Sequence, residues 1–292
     1  MRVSDLSLFN SLADSITETS SNLNIAQQQL ATGKQVVEPS DGPAAFAEAD
    51  LLQAAESATN NDGTLATNVQ NQLSAASSAL AQISSTITSA IASATEGSDG
   101  TINASQMATI AQTVQGQLAE VVQSANTNYA GVYLFGGDQT QAAPFSATGA
   151  YSGDSGSNSA VFSSGASIPV SFDGQSIVGN NTSGAIGALN SLISALNSGN
   201  QSAVAATLPQ LNTALQQVAS VNASIGTAAN NASMLSTNAS SSATTLDSNI
   251  NQVSGANIAQ VAMNVQEDSA QVQALVSLAS EIGKIPLIDI LS

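Results

Sequence analysis

The 292-residue sequence contains no cysteine, no histidine and no tryptophan. The missing cysteines exclude disulfides, thiolate metal sites and cysteine nucleophiles, and the missing histidines remove the commonest metal ligand and the usual general base. Carboxylate chemistry remains, but the acidic residues are scattered, and the adjacent Glu267 and Asp268 would diverge on a helix. We therefore expect a protein that is not an enzyme and that has no catalytic residues, no metal site and no cofactor.

Basic residues are almost as scarce, because lysine and arginine together number 3 against 20 aspartates and glutamates. The formal net charge is −17, although charged residues make up only 8% of the chain. Arg2, Lys34 and Lys284 are too dispersed to build a basic patch, which excludes nucleic acids and anionic membranes as partners. No apolar run approaches the roughly 18 residues of a membrane span, and the first residues lack the apolar segment of a signal peptide. We expect a soluble chain and, if it is exported, a route without a cleaved signal.

Aromatic residues contribute only 3% of the sequence, so alanine and the aliphatic residues must supply the core. This composition favours narrow helix–helix interfaces over one thick globular core. The length suggests about two domains, since a domain takes roughly 100 to 200 residues.

Both ends of the chain have apolar residues at alternating spacings of three and four, which predict long amphipathic helices. The first helix should end near Gly33, with a short link from Pro39 to Pro43, in which Ser40 or Asp41 caps the next helix. The last helix should follow a weak point at residues 254–255. We call the apolar positions of these two helices the terminal seams: Phe9, Leu12, Ile16, Leu23 and Leu30 at the start, and Ile258, Val261, Val265, Val272, Leu275 and Ile282 at the end. We expect the two seams to pack together.

The central sequence predicts more helices around a region rich in glycine and serine. Helical spacing covers residues 44–94, where residues 60–63 could interrupt the helix, and then residues 107–125 after a turn at 96–100. Residues 129–135 predict an extended segment before a tight turn at Gly136 and Gly137. Strands are predicted at 160–162 and 168–172, with a hairpin turn at Asp173 and Gly174, and helical spacing resumes from Ile186.

The predicted fold is mainly α, with long terminal helices forming coiled coils, a rod-like helical bundle and a small β-rich insertion. The predicted domains are the terminal coiled-coil segments 1–43 and 256–292, a helical rod of 44–137 and 184–255, and a variable β-rich domain at 138–183. The strand pattern of the insertion is too weak to fix its register.

Two motifs and the C-terminal end resemble those of a known family. Residues 30–34 (Leu-Ala-Thr-Gly-Lys) followed by 39–43 (Pro-Ser-Asp-Gly-Pro) resemble the stretch after the first helix of bacterial flagellins. Residues 128–137, which include Tyr-Leu-Phe-Gly at positions 133–136, and residues 275–291 are similar to the hook-associated protein 3 branch of that family. The residues that carry the motifs are Thr32, Gly33, Lys34, Pro39, Ser40, Asp41, Pro43, Tyr133, Leu134, Phe135 and Gly136. Gln35 and Gly42 depart from the family pattern, which usually has a basic and an acidic residue there.

The resemblance implies a structural subunit of the bacterial flagellum, located at the junction between hook and filament. Members of this family leave the cell through the flagellar type III export apparatus without signal cleavage, and they polymerise when their terminal helices pair. The implied partners are other copies in a helical lattice, a hook-associated protein on the hook side, flagellin on the filament side and an export chaperone. The implied location is the extracellular flagellum.

Other interpretations of the sequence remain open. The same family includes flagellin, the filament subunit itself, from which the Tyr-Leu-Phe block and the C-terminal end distinguish this chain. The terminal seams could also belong to an ordinary intramolecular bundle, as in an unrelated coiled-coil adhesin or binding module. A hydrolase that uses only carboxylates is the third alternative.

Overall fold

A computed structural model describes the backbone of residues 2–282 and the side chains of residues 7–281. The predicted mainly α fold with a small β-rich insertion is confirmed within this range. The helices and strands are α1 (Arg2–Thr32), α2 (Pro43–Gly97), α3 (Ala104–Ala125), β1 (Asn128–Tyr129), β2 (Val132–Tyr133), β3 (Ser159–Val161), β4 (Ser167–Pro169), α4 (Gly174–Val178), α5 (Gly184–Asn197), α6 (Gln201–Ser254) and α7 (Ile258–Ile282).

The chain divides into two compact units, each with its own contacts. Met1–Ser57 and Ser242–Ser292 form one of them, which we call the terminal unit, and Ala58–Ser241 form the other, which we call the central unit. These limits fall inside α2 and α6, whereas the domain limits expected from the sequence lie at the links between helices. Both ends of the chain contribute to a single unit.

In the terminal unit, α1 and α7 pack against each other. Helix α1 ends at Thr32 as predicted, because Gly33 has a φ of +69° and its N–H donates to the Gln29 carbonyl at 2.8 Å. The predicted break at residues 254–255 is also present, because α6 ends at Ser254 and α7 begins at Ile258. The predicted cap at Asp41 is wrong, since its carboxylate accepts from the preceding Val37 and Glu38 N–H groups, each at 2.9 Å.

The central unit has one hydrophobic core, to which α2, α3, α5 and α6 all contribute. Most of the largest fully buried core side chains are aliphatic, among them Leu73, Leu80, Ile83, Ile87, Ile186, Leu189, Leu192, Leu211 and Ile225. Helix α2 runs through residues 60–63 without interruption. A Cβ on Gly63 would lie 3.3 Å from the Ala239 methyl, so this glycine lets α6 approach closely. Close packing of α2 against α6 therefore accounts for the glycine at position 63, which in the sequence suggested a break in the helix.

The β region consists of two small antiparallel hairpins. The predicted extended segment at 129–135 is wrong as a continuous strand, because Ala130 and Gly131 both have positive φ, +52° and +87°, and form a two-residue turn between β1 and β2. Strands β3 and β4 pair with Ala160 opposite Ile168. The Asp62 carboxylate on α2 accepts from the backbone N–H and the hydroxyl of Ser163, which ties the β3–β4 turn to the helix.

The hairpin turn predicted at Asp173 and Gly174 is also wrong. These residues begin α4, where the Asp173 carboxylate accepts from the Gln175 N–H at 2.9 Å. A Cβ on Gly174 would overlap the Phe135 carbonyl oxygen and the ring of Phe145. An Asp-Gly pair suits a helix start as well as a turn, and here the close packing around the glycine selects the helix start.

Candidate assembly interface

Seven of the eleven predicted terminal seam residues are buried or half-buried. On α1, Leu12 is 7% exposed, and Ile16 and Leu23 are half-buried. On α7, Val261 is 6% exposed, and Val265, Val272 and Leu275 are half-buried. These two stripes lie on α1 and α7, the two helices that pack together within the terminal unit.

The remaining seam residues are left exposed or undescribed in the part of the chain that the structure describes. Phe9 is 48% exposed, Ile258 is 47% exposed and Leu30 is also exposed, while the side chain of Ile282 lies outside the described residues. Further apolar side chains that the seam spacing omits are exposed on the same helices: Leu8, Ile25, Met263, Val276 and Leu278. The terminal helices thus present apolar surface beyond what their own pairing covers, a feature typical of interaction sites.

The Thr-Gly-Lys motif and the Pro-Ser-Asp-Gly-Pro motif form the turn between α1 and α2. The Thr32 hydroxyl donates to the Gln28 carbonyl and accepts from the Lys34 N–H. Lys34 pairs with Gly255 as an isolated antiparallel bridge, flanked by a 2.9 Å bond from the Ala256 N–H to the Gly33 carbonyl. The link is therefore anchored to the point where α6 passes into α7.

Three motif residues complete this turn. Pro39 and Ser40 are exposed within it, and Pro43 begins α2, where a missing N–H costs nothing. The Glu38 and Val37 N–H groups hold the pKa of Asp41 below its ordinary value, because they stabilise the ionised carboxylate. The motif thus has a structural explanation in the local hydrogen bonds of the link.

The Tyr-Leu-Phe-Gly block lies in the central unit, where it organises the β region. Leu134 and Phe135 are fully buried, and the Phe135 ring lies 6.5 Å from that of Phe172. The Leu134 carbonyl accepts from the Phe172 N–H at 2.8 Å, and Tyr133 is half-buried. A Cβ on Gly136 would overlap the carbonyl oxygen of Gln139, so only glycine fits. These residues build the core and the turn, away from exposed surface.

The other perturbed titratable groups also have structural explanations. Burial raises the pKa of Tyr151, with Asp173 adding to the effect, and its protonated hydroxyl donates to the Asp154 carbonyl at 2.8 Å. The pKa of the Asp154 carboxyl is lowered by the N–H groups of Asp138 and Gly156. Within the described part of the chain, no group of three or more Asp, Glu, His or Cys residues is placed to hold a metal ion. None of the helices in residues 2–282 combines the length and apolar character needed to cross a membrane.

Comparison with known proteins connects this architecture to one family. Residues 3–140 match the profile described as the bacterial flagellin N-terminal helical region. The match spans 138 of the 292 residues, which is just under half of the chain. The matched segment comprises α1, α2, α3 and the β1–β2 hairpin, so it includes both motifs on which the resemblance rested.

The chain is also similar to two curated proteins. It is 29% identical over 188 residues to flagellar hook-associated protein 3 of Salmonella typhimurium, and 32% identical over 189 residues to the protein of that name from Escherichia coli. Each match covers 64% of this chain and 59% of the relative, so the chain spans less than two thirds of these relatives' length.

A solved structure shows the same fold. The FlgL structure from Bacillus cereus superposes on this chain with a TM-score of 0.62, at 19% sequence identity. The match covers 69% of this chain and 99% of that one.

Proposed function

We propose that this chain is a structural, non-catalytic subunit of the bacterial flagellum that forms the junction between hook and filament. The observation that carries the proposal is the pair of terminal helices, which pack on each other and still present apolar side chains to the outside. The similarity to proteins named flagellar hook-associated protein 3 supports the same function.

In this proposal, the covered and the exposed apolar residues have different functions. The buried and half-buried stripe, which includes Leu12 on α1 and Val261 on α7, holds the helix pair of one subunit together. The exposed side chains, among them Phe9 and Ile258, contact neighbouring subunits. Each Å² of apolar surface that they bury there stabilises the assembly by about 25 cal/mol. Different faces point towards the hook side and the filament side, so the lattice is heterologous and helical.

The neighbours proposed for this subunit are a hook-associated protein on one side and flagellin on the other, with copies of the chain between them. We further propose that the chain reaches the extracellular flagellum through the flagellar export apparatus, without a cleaved signal and with an export chaperone. A net charge of −17 with only 3 basic residues limits ion pairs between copies, so apolar contacts and neutral hydrogen bonds hold the assembly together.

A chromosomal deletion in the source bacterium tests the proposal. The expected result in electron microscopy is hooks without filaments, together with unpolymerised flagellin in the culture medium and recovery by a plasmid copy. If the chain were the flagellin instead, the deletion would remove the secreted flagellin as well as the filament. Normal filaments on normal hooks in the deletion strain would contradict both assignments.

A further inference from the structure

The terminal unit contains a small cavity that none of the terminal seam residues lines. Its volume is about 290 Å³, and it lies beside the link that joins α1 to α2. The residues Val36, Val37, Phe46 and Ala49 give it an apolar lining, to which Lys34 and Asp50 add charged groups. An apolar cavity of about 150 Å³ is enough to hold a benzene molecule, so this one has room for a leucine side chain.

The same unit has an apolar side chain that the described residues leave largely exposed. Leu51 on α2 is 71% exposed, more than any other large apolar residue in the described part of the chain. The cavity residues of α2, which are Phe46, Ala49, Asp50 and Gln53, share one face of the helix. Leu51 lies about 140° around the helix from Phe46, at 100° per residue, so it projects from the opposite side.

We propose that Leu51 of one copy inserts into this cavity on a second copy of the chain. A protruding apolar group and a complementary pocket on different faces of one molecule form a heterologous contact, which repeats from copy to copy. This inference rests on the proposed assembly function and assigns the faces through which neighbouring copies meet.

Charge favours a second copy as the occupant. Lys34 is the only basic residue among residues 7–281, and it lines the cavity, where it offsets Asp50 in a chain that is otherwise acidic. Glu48 is exposed and lies three positions before Leu51, on the same side of α2. An incoming Leu51 therefore brings the Glu48 carboxylate towards the Lys34 ammonium of the receiving copy.

Because the chain has no cysteine, disulfide cross-linking between two single-cysteine variants tests the contact directly. Full-length Leu51→Cys and Val37→Cys chains are mixed, concentrated until they polymerise, oxidised, and analysed for the mixed dimer by mass spectrometry. The matched control replaces Leu51→Cys with Val276→Cys, another exposed apolar residue of the terminal unit. A disulfide needs Cβ atoms about 4 Å apart, so we expect at least about a tenfold excess of the mixed dimer over the control.

A charge exchange gives an independent measurement. Lys34→Glu alone should reduce the fraction of the chain that sediments as polymer. The double variant Lys34→Glu with Glu48→Lys should restore this fraction, and such a recovery would not occur if Lys34 acted only within its own copy. Polymer without the specific cross-link and without recovery would overturn this contact and leave the assembly function standing. If the unmodified full-length chain formed no polymer, this contact between copies would be overturned, whereas the deletion strain decides the junction function.

Discussion

Substitution of Leu12 by aspartate tests whether the α1–α7 pair drives assembly. Leu12 is 7% exposed, and full burial of a leucine side chain contributes about 1.5 to 3 kcal/mol. Aspartate removes that contribution and adds the cost of dehydrating a carboxyl group, so we expect a total loss of at least about 3 kcal/mol. At 1.4 kcal/mol per factor of ten, this weakens each helix pairing on the order of 100-fold.

The assay for Leu12→Asp has two parts. Electron microscopy of the deletion strain carrying the variant should show hooks without filaments, while the purified variant should retain the thermal unfolding transition of the central unit. The control Asn24→Asp adds the same charge at an exposed position of α1 and should leave filaments intact. Normal filaments with Leu12→Asp, or equal loss with both variants, would refute the reasoning.

Three further predictions concern salt, packing and pH. Sedimentation should show that the polymer persists in 1 M salt, because the screening length falls to about 3 Å and the repulsion between acidic copies is weakened. Dissociation in 1 M salt would instead indicate that ion pairs are the main contacts between copies. Gly136→Ala should lower the free energy of unfolding of the central unit by about 2 kcal/mol in thermal unfolding, because the added Cβ would overlap the Gln139 carbonyl oxygen. The control is Gly100→Ala, which should change the stability little because a Cβ there has no neighbour within 4 Å. The Asp41 carboxyl should titrate below its ordinary pKa of 3.8. The ionised carboxylate therefore stabilises the link above pH 3.8, and this stabilisation is lost as the pH falls through the lowered pKa. NMR of the amide groups that donate to Asp41 reports this titration, and a midpoint at or above 3.8 would contradict it.

The sequence was most informative where local chemistry determines the structure. The helix end at Gly33 and the start of α2 at Pro43 follow from the backbone preferences of these two residues, so both were predictable. Tertiary contacts decided the cases that the sequence missed. Gly63 lies inside a helix because α6 packs against it, and Gly174 begins α4 because Phe135 and Phe145 surround it.

The candidate interface was predictable only in part, for a similar reason. Regular spacing revealed Leu12, Leu23 and Val261, since these residues lie on one stripe of each helix. Leu51 has no such pattern, because a single exposed leucine in an alanine-rich helix has the same sequence signature as a buried one. Only its exposure, together with a cavity built from the α1–α2 link, distinguishes it.

The terminal unit also imposes an order on folding. Helix α1 ends at Thr32 and its partner α7 begins at Ile258, so residues 33–257 must emerge before the two can meet. The central unit lies entirely between them in sequence, and its contacts close shorter loops, which form faster. During synthesis, α1 therefore remains without its partner helix until α7 has emerged. In the proposed assembly, a truncated chain could fold its central unit and would still lack the α1–α7 surface that is proposed to join it to its neighbours.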